Sequence, residues 1–210
     1  ENGYKFSVDV VNGQKTGFFI DQRENRLCLH KYSMNKKVLN CFSYTGGFSV
    51  YAAKTAKTVT SVDISKSAIE NAKNNFKINC LDTEKNFFIV DDVFEYLNKI
   101  KSEEFDLIVL DPPSFAKNRN QIKNAIKAYT TINTKALEKL PDYGILVSSS
   151  CTTHIDEQTF IKILRQSAIN SKCQLRILES RMQPQDHSYN LAFPEGRYLK
   201  FFVMQKLPVL

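Results

Sequence analysis

From residue 38 onward the chain alternates short β-rich apolar runs with longer segments of helical period, and that alternation leaves few folds open. The runs are VLNCF (38–42), TVTSV (58–62), NFFIV (86–90), DLIVL (106–110) and GILVSSS (144–150), with further strands near 174–180 and 198–205. Between them lie FSVYAAKTA (48–56), SKSAIENAKNNFKIN (65–79), a helix over 93–100, a long one near 120–140 and one from about Glu157 to Ser171. In 65–79, Ala68, Ile69, Ala72 and Phe76 recur at helical spacing and form one buried stripe. Apolar strands separated by helices belong to a parallel sheet covered on both faces, so the expected fold is α/β and doubly wound.

Ahead of this series, residues 4–11 (YKFSVDVV) alternate apolar and polar, Asn12-Gly13 is a turn pair, and TGFFI (16–20) resumes the apolar run. That pattern predicts a β-hairpin. The expected organisation is a hairpin and lead-in over 1–30 followed by one domain over 31–210. The first residue is Glu1 rather than Met, so an upstream segment is expected to have been removed.

Nothing approaches the roughly 18 to 20 consecutive apolar residues of a membrane span, and no basic segment leads into an apolar signal region. The chain is therefore expected to be soluble and cytoplasmic, with no membrane partner. Five scattered cysteines with no C-x-x-C pair argue for reduced thiols and against a metal site. The net charge of +7 would attract a polyanion such as RNA, although a lysine-rich surface without such a role has the same composition.

In doubly wound folds, ligands sit beyond the carboxyl ends of the strands. After the first strand comes Asn40-Cys41-Phe42-Ser43-Tyr44-Thr45-Gly46-Gly47, a small-residue loop that departs from G-x-G-x-x-G and suits a nucleoside better than a pyrophosphate. The second strand ends at Asp63, followed by Ile64, where an acid bonds ribose hydroxyls; the third ends at Asp91-Asp92, followed by Val93, where a carboxylate could read an adenine amino group. Each acid could equally be a helix N-cap. Together they point to a nucleoside cofactor, S-adenosylmethionine ahead of NAD.

The fourth strand runs into Asp111-Pro112-Pro113-Ser114-Phe115. Two prolines fix a rigid turn that can present an acid and an aromatic ring to a flat base, or simply end a strand over a core phenylalanine. The fifth strand ends at Ser148-Ser149-Ser150-Cys151. A thiolate there could add to C6 of a pyrimidine and activate C5, with the following helix N-terminus lowering its pKa. Composition alone makes Cys151 one more small buried hydrophobe, as Cys28, Cys80 and Cys173 are read.

Taken in order, GQKTGFFIDQRENR (13–26), VLNCFSYTGGFSVYA (38–52), SVDIS (61–65), DDVFEYL (91–97), DLIVLDPPSFAK (106–117), SSSC (148–151), DH (186–187) and FPEGRYLK (193–200) resemble the class I ribosomal RNA methyltransferases of the large-subunit, cytosine-C5 group over nearly the whole chain. The resemblance implies a Rossmann-like, mostly parallel sheet with an antiparallel C-terminal strand. It implies S-adenosylmethionine held by Asn40, Phe42, Ser43, Tyr44, Thr45, Gly46, Asp63, Ile64, Asp91, Asp92, Val93 and Asp111, with Asp21, Gln22 and Arg23 reaching its methionine end. Cys151 and Asp111 would be catalytic, and Pro112, Pro113, Phe115, Lys117 and His187 would meet the base. The partner implied is large-subunit ribosomal RNA, with no metal and with a homodimer left open. Members usually carry an upstream RNA-binding PUA domain. Ser188 stands where a proline is common, which leaves His187 between a structural hydrogen bond and base catalysis.

Three rivals follow from the same residues. A purine-nitrogen methyltransferase would use the D-P-P-x-F turn without needing Cys151. A degenerate binding module would not need Asp111 and Cys151 intact. A nicotinamide oxidoreductase would require the missing phosphate fingerprint.

Overall fold

The computed structural model describes residues 1–210 apart from 12, 14–16, 117 and 210. The chain divides into two compact units, residues 1–93 and 94–210.

In the first unit, α1 (Arg23–Ser33) leads to β1 (Lys37–Cys41), α2 (Gly47–Ala53), β2 (Thr58–Asp63), α3 (Lys66–Ile78) and β3 (Phe87–Val90). β1 pairs parallel with β2, Val38 beside Val59, and β2 pairs parallel with β3, Val62 beside Ile89. Val38, Leu39, Val59 and Val62 are fully buried, as a strand covered on both faces requires. Ser65 caps α3 by accepting from the Ala68 N–H at 3.3 Å, and the helix buries Ala68, Ile69, Ala72 and Phe76. Burying Phe76, edge-on to Phe88 at 4.9 Å, contributes about 1.5 to 3 kcal/mol.

No hairpin forms ahead of this sheet among the described residues, and the turn expected at 12–13 lies partly outside them. Residues 4–9 carry no strand, and backbone groups of Lys5 and Ser7 are taken by side chains at the end of α3, Asn75 and its C-cap Asn79. Lys5 donates to Asn79 Oδ1 at 2.9 Å and receives from Asn79 Nδ2 at 2.7 Å, while Ser7 donates to Asn75 Oδ1 at 2.8 Å. The second arm instead ends in a 3-10 turn at Ile20–Gln22 that continues into α1.

The second unit contains α4 (Val93–Lys99, which begins at the boundary), β4 (Leu107–Leu110), α5 (Ile122–Lys139), β5 (Ile145–Ser150), α6 (Glu157–Asn170), β6 (Gln174–Arg181) and β7 (Lys200–Leu207). β4 and β5 are parallel and buried throughout, with Leu110 beside Ser148. β7 lies antiparallel to β5, with Lys200 opposite Ser150, and antiparallel to β6, with a register shift between Ile177 and Glu179. The strand order is β3-β2-β1 in the first unit and β4-β5-β7-β6 in the second, mostly parallel with an antiparallel C-terminal pair. The doubly wound arrangement expected from the alternating pattern is the one found.

Candidate functional site

In the first unit, the loop after β1 is built from three left-handed residues, Phe42 (φ 56°), Tyr44 (φ 47°) and Gly46 (φ 79°). A non-glycine residue in that region costs about 1 to 2 kcal/mol, so the loop must be held from outside. Ser43 donates to the Val62 carbonyl at 2.9 Å, Tyr44 to Asp63 Oδ2 at 2.8 Å, and Gly46 back to Ser43 at 2.8 Å. Asn75 Nδ2 fixes the Thr45 carbonyl at 2.8 Å.

Asp63 is not the cap of α3, a role that Ser65 fills. Its Oδ1 accepts from the Ser65 N–H at 2.9 Å, and its own carbonyl accepts from Asp91 at 3.1 Å, so the ends of β2 and β3 are tied together. Asp92 donates its N–H to Asp91 Oδ1 at 2.9 Å. Beside Asp63, Ile64 is 72% exposed, an apolar face next to a carboxylate, while Val93 is buried. Asn40 and Ser43 are buried, yet Asn40 Oδ1 and Ser43 Oγ have no hydrogen-bond partner among the described residues. Leaving a buried polar atom unsatisfied costs about 1 to 3 kcal/mol, which a polar ligand at the loop would relieve.

Asp21 and Gln22 are buried; Gln22 Oε1 accepts from Asn25 at 2.7 Å, and Arg23 pairs with Glu24 at 3.1 Å. An edge contact between Phe19 and Tyr44, 5.5 Å between ring centroids, brings this turn against the loop. The carboxylate of Asp63, the exposed Ile64 and the unsatisfied Asn40 and Ser43 could together hold a nucleoside.

In the second unit, Asp111 leaves β4 beside Ser149, whose hydroxyl donates to Asp111 Oδ1. Pro112 is buried and Pro113 exposed. Ser114 Oγ bonds the Ala116 carbonyl at 2.9 Å and Thr152 Oγ1 at 3.0 Å, and the Tyr129 hydroxyl also meets Thr152 at 2.9 Å. Phe115 packs edge-on to Tyr129 at 4.7 Å. The turn after β4 is thus fastened at two points to the end of β5, and Asp111 and Cys151 come to one sheet edge. Burial pushes the Tyr129 hydroxyl up to about 12, and the Cys151 and Asp111 charges add to the rise.

All five cysteines are free, and they differ in setting. Cys41 also ends a strand, but it is fully buried and its thiol is pushed far up by desolvation. Cys151 is half-buried. Cys173 is buried as expected, whereas Cys80 is exposed and Cys28 half-buried, donating to the Asn25 carbonyl at 3.1 Å, so neither is a core residue.

His187 sits in a 3-10 turn, Gln185–His187, with Nδ1 3.1 Å from Asp186 Oδ1, and Lys117 lies outside the described residues. A charged residue absent from the expected set is Lys200. It is 4% exposed at the start of β7, and its ammonium donates to the carbonyls of Thr152 and Tyr198, both at 2.7 Å. A lysine opening the otherwise apolar run LKFFVM was the available signal. Next to it, a cleft of about 540 Å³ is lined by Ile155, Asp156, Glu157, Arg197, Leu199 and Lys200 among others.

A family model for S-adenosylmethionine-dependent methyltransferases matches residues 1–183. The chain is 45% identical over 208 residues to ribosomal RNA large subunit methyltransferase I of Aeromonas salmonicida (strain A449), covering 98% of this chain and 52% of that protein. It is 44% identical over 209 residues to the protein of the same name from Tolumonas auensis, covering 98% and 53%. The chain thus spans about half the length of these curated relatives. Among solved structures, the methyltransferase SMU.776 complexed with SAH is similar at 32% identity and a TM-score of 0.87, over 98% of this chain and 54% of that one. With a nucleoside-fitting loop on a Rossmann-like sheet and a family match over most of its length, the chain belongs to the S-adenosylmethionine-dependent methyltransferases.

Proposed function

We propose that this chain carries the catalytic part of a ribosomal RNA methyltransferase acting on C5 of a cytosine in large-subunit ribosomal RNA, with Cys151 as nucleophile. The observation that carries the reading is the fastening of the Asp111 turn to the strand end that bears Cys151, through Ser149–Asp111 and Ser114–Thr152. The names of the curated relatives support ribosomal RNA as substrate, and the net charge of +7 suits a polyanion in the cytoplasm.

Bound S-adenosylmethionine supplies the methyl group as an electrophile and leaves as its demethylated product. Asp63 holds the ribose hydroxyls, Ile64 and Val93 flank the adenine with Asp91 and Asp92 at its polar edge, and residues 40–46 with Gln22 and Arg23 receive the amino-acid end. Carbon 5 of cytosine is a poor nucleophile, so Cys151 first adds its sulfur electron pair to C6. The C5=C6 pair is then available at C5 to take the methyl. Loss of the C5 proton returns that pair to the ring, breaks the S–C6 bond and frees the thiolate. Asp111, steadied by Ser149, bonds the N3–N4 edge, and Phe115 stacks on the turned-out base between Pro112, Pro113 and His187. Lys117 belongs to the same base-binding set.

RNA carrying 5-fluorocytosine tests this, because fluorine cannot leave as the proton does. The wild-type protein with cofactor should give a band that survives denaturing electrophoresis, and Cys151→Ala should bind cofactor yet give neither band nor product. Turnover of ordinary RNA without any cross-link would reject Cys151 and favour a purine nitrogen as target, where a ring lone pair attacks directly.

A further inference from the structure

Lys200 is a buried cation that methyl transfer, as described, leaves without a task. It stands opposite Ser150 in the β5–β7 ladder, one residue before Cys151, and donates to the carbonyl of Thr152, one residue after it. Its backbone is therefore held beside Ser150 by the ladder, and its ammonium is fixed by the carbonyls of Thr152 and Tyr198, next to the cysteine. A lysine buried to 4% exposure against two neutral carbonyls is costly unless an anion offsets its charge.

We propose that Lys200 is the positioning residue that keeps Cys151 as a thiolate, its ammonium being the fixed counter-charge of the sulfur. This rests on the reading of Cys151 as nucleophile. When Cys151 ionises, its S–H proton goes to water and the negative sulfur gains a cation already in place, with no side chain to reorganise. Desolvation lowers Lys200 to about 8, and the Cys151, Asp156 and Glu157 charges oppose that fall, Cys151 most strongly. The two carboxylates have other work. Asp156 caps α6 by accepting from Thr159 at 2.7 Å, and Glu157 pairs with Arg197 at 2.5 Å. The remaining groups facing this corner are Tyr129 from α5, which stays neutral, and Asp111 from the turn after β4, held by Ser149. The sulfur is left as the anion that matches the lysine.

The test needs neither RNA nor cofactor. The folded protein is alkylated with iodoacetamide from pH 5 to 10, and the Cys151 peptide is followed by mass spectrometry, with the exposed Cys80 as internal reference. In the wild type the Cys151 midpoint should fall at least about one unit below that of Cys80, the shift expected of an opposite charge close by. Lys200→Met should raise it by a similar amount and slow alkylation at pH 7 roughly tenfold, while Lys200→Arg, which keeps the charge, should hold it low. A wild-type midpoint equal to that of Cys80 overturns the proposal whether or not the variants fold, and so does an unchanged midpoint in a folded Lys200→Met. A low midpoint together with no fluorocytosine cross-link would uphold the lysine–cysteine pair and reject the nucleophile, so the two readings fail separately.

Discussion

Asp63 takes the backbone N–H of Tyr44 on one carboxylate oxygen and that of Ser65 on the other, at 2.8 and 2.9 Å, so one side chain sets both the loop after β1 and the start of α3. Asp63→Asn replaces one acceptor with a donor facing an N–H. Affinity for S-adenosylhomocysteine should fall by about 1 to 3 kcal/mol in calorimetry. Ser65→Ala, which removes only the helix cap, should cost about 1 kcal/mol of stability and leave that affinity alone. Equal affinities for Asp63→Asn and the wild type would remove Asp63 from the site.

Gly46 has a left-handed φ of 79°, and a Cβ there would lie 2.9 Å from the Ala72 Cβ. Gly46→Ala therefore carries both backbone strain and a collision with α3. A loss of at least about 1 to 2 kcal/mol is expected, read as a drop in Tm of roughly 2 to 8 °C. Cofactor should recover part of it by binding the folded state.

Between pH 8 and 10 the unfolded chain holds a proton on Lys200 that the folded chain has released, because burial lowers this lysine to about 8. The state that binds fewer protons gains as pH rises. The wild type should thus gain stability relative to Lys200→Met across this window in urea unfolding. Parallel curves for the two proteins would show that the lysine is solvated in the native state.

The Asp156 carboxylate is held below its usual value of 3.8, first by the Thr159 backbone N–H. Its contribution is present above that value and lost as pH falls through the lower, folded pKa. Asp156→Ala should cost about 1 kcal/mol at pH 7, and the gap should narrow toward pH 3, measured as the difference in Tm between the two proteins.

The strands were legible because burial on both faces forces continuous apolar runs, as in VLNC and LIVL, and the helices because Ala68, Ile69, Ala72 and Phe76 keep their period. α1 was not read. It buries Asn25, Arg26 and Ser33 along with Leu29 and Tyr32, so its inward face is largely polar and no continuous apolar stripe marks it. Arg26 is tolerated there because Glu1 pairs with it at 2.7 Å and the Phe18 ring lies 4.4 Å from its guanidinium. The described residues of the expected hairpin carry no strand for the opposite reason. Its alternation is real, but Asn75 and Asn79 supply the hydrogen bonds that a partner strand would have made. Site residues at strand ends could be located from topology alone. Lys200 stands out locally as a lysine in an apolar run, but its place beside Ser150 depends on the order β5-β7-β6, which no local pattern encodes.

That order also bears on when the cysteine becomes reactive. β7 is synthesised last, lies between β5 and β6 and pairs with both, so β6 has no place in the sheet until β7 is made. A nascent chain that has already emerged past Cys151 still lacks the cation beside it, and its thiol has the reactivity of any free cysteine. Low-pKa thiols are the ones that oxidise, and this one would acquire that vulnerability only once the sheet edge had formed around it. In the proposed pairing, a lysine on a late strand would leave Cys151 an ordinary thiol while the protein is being made.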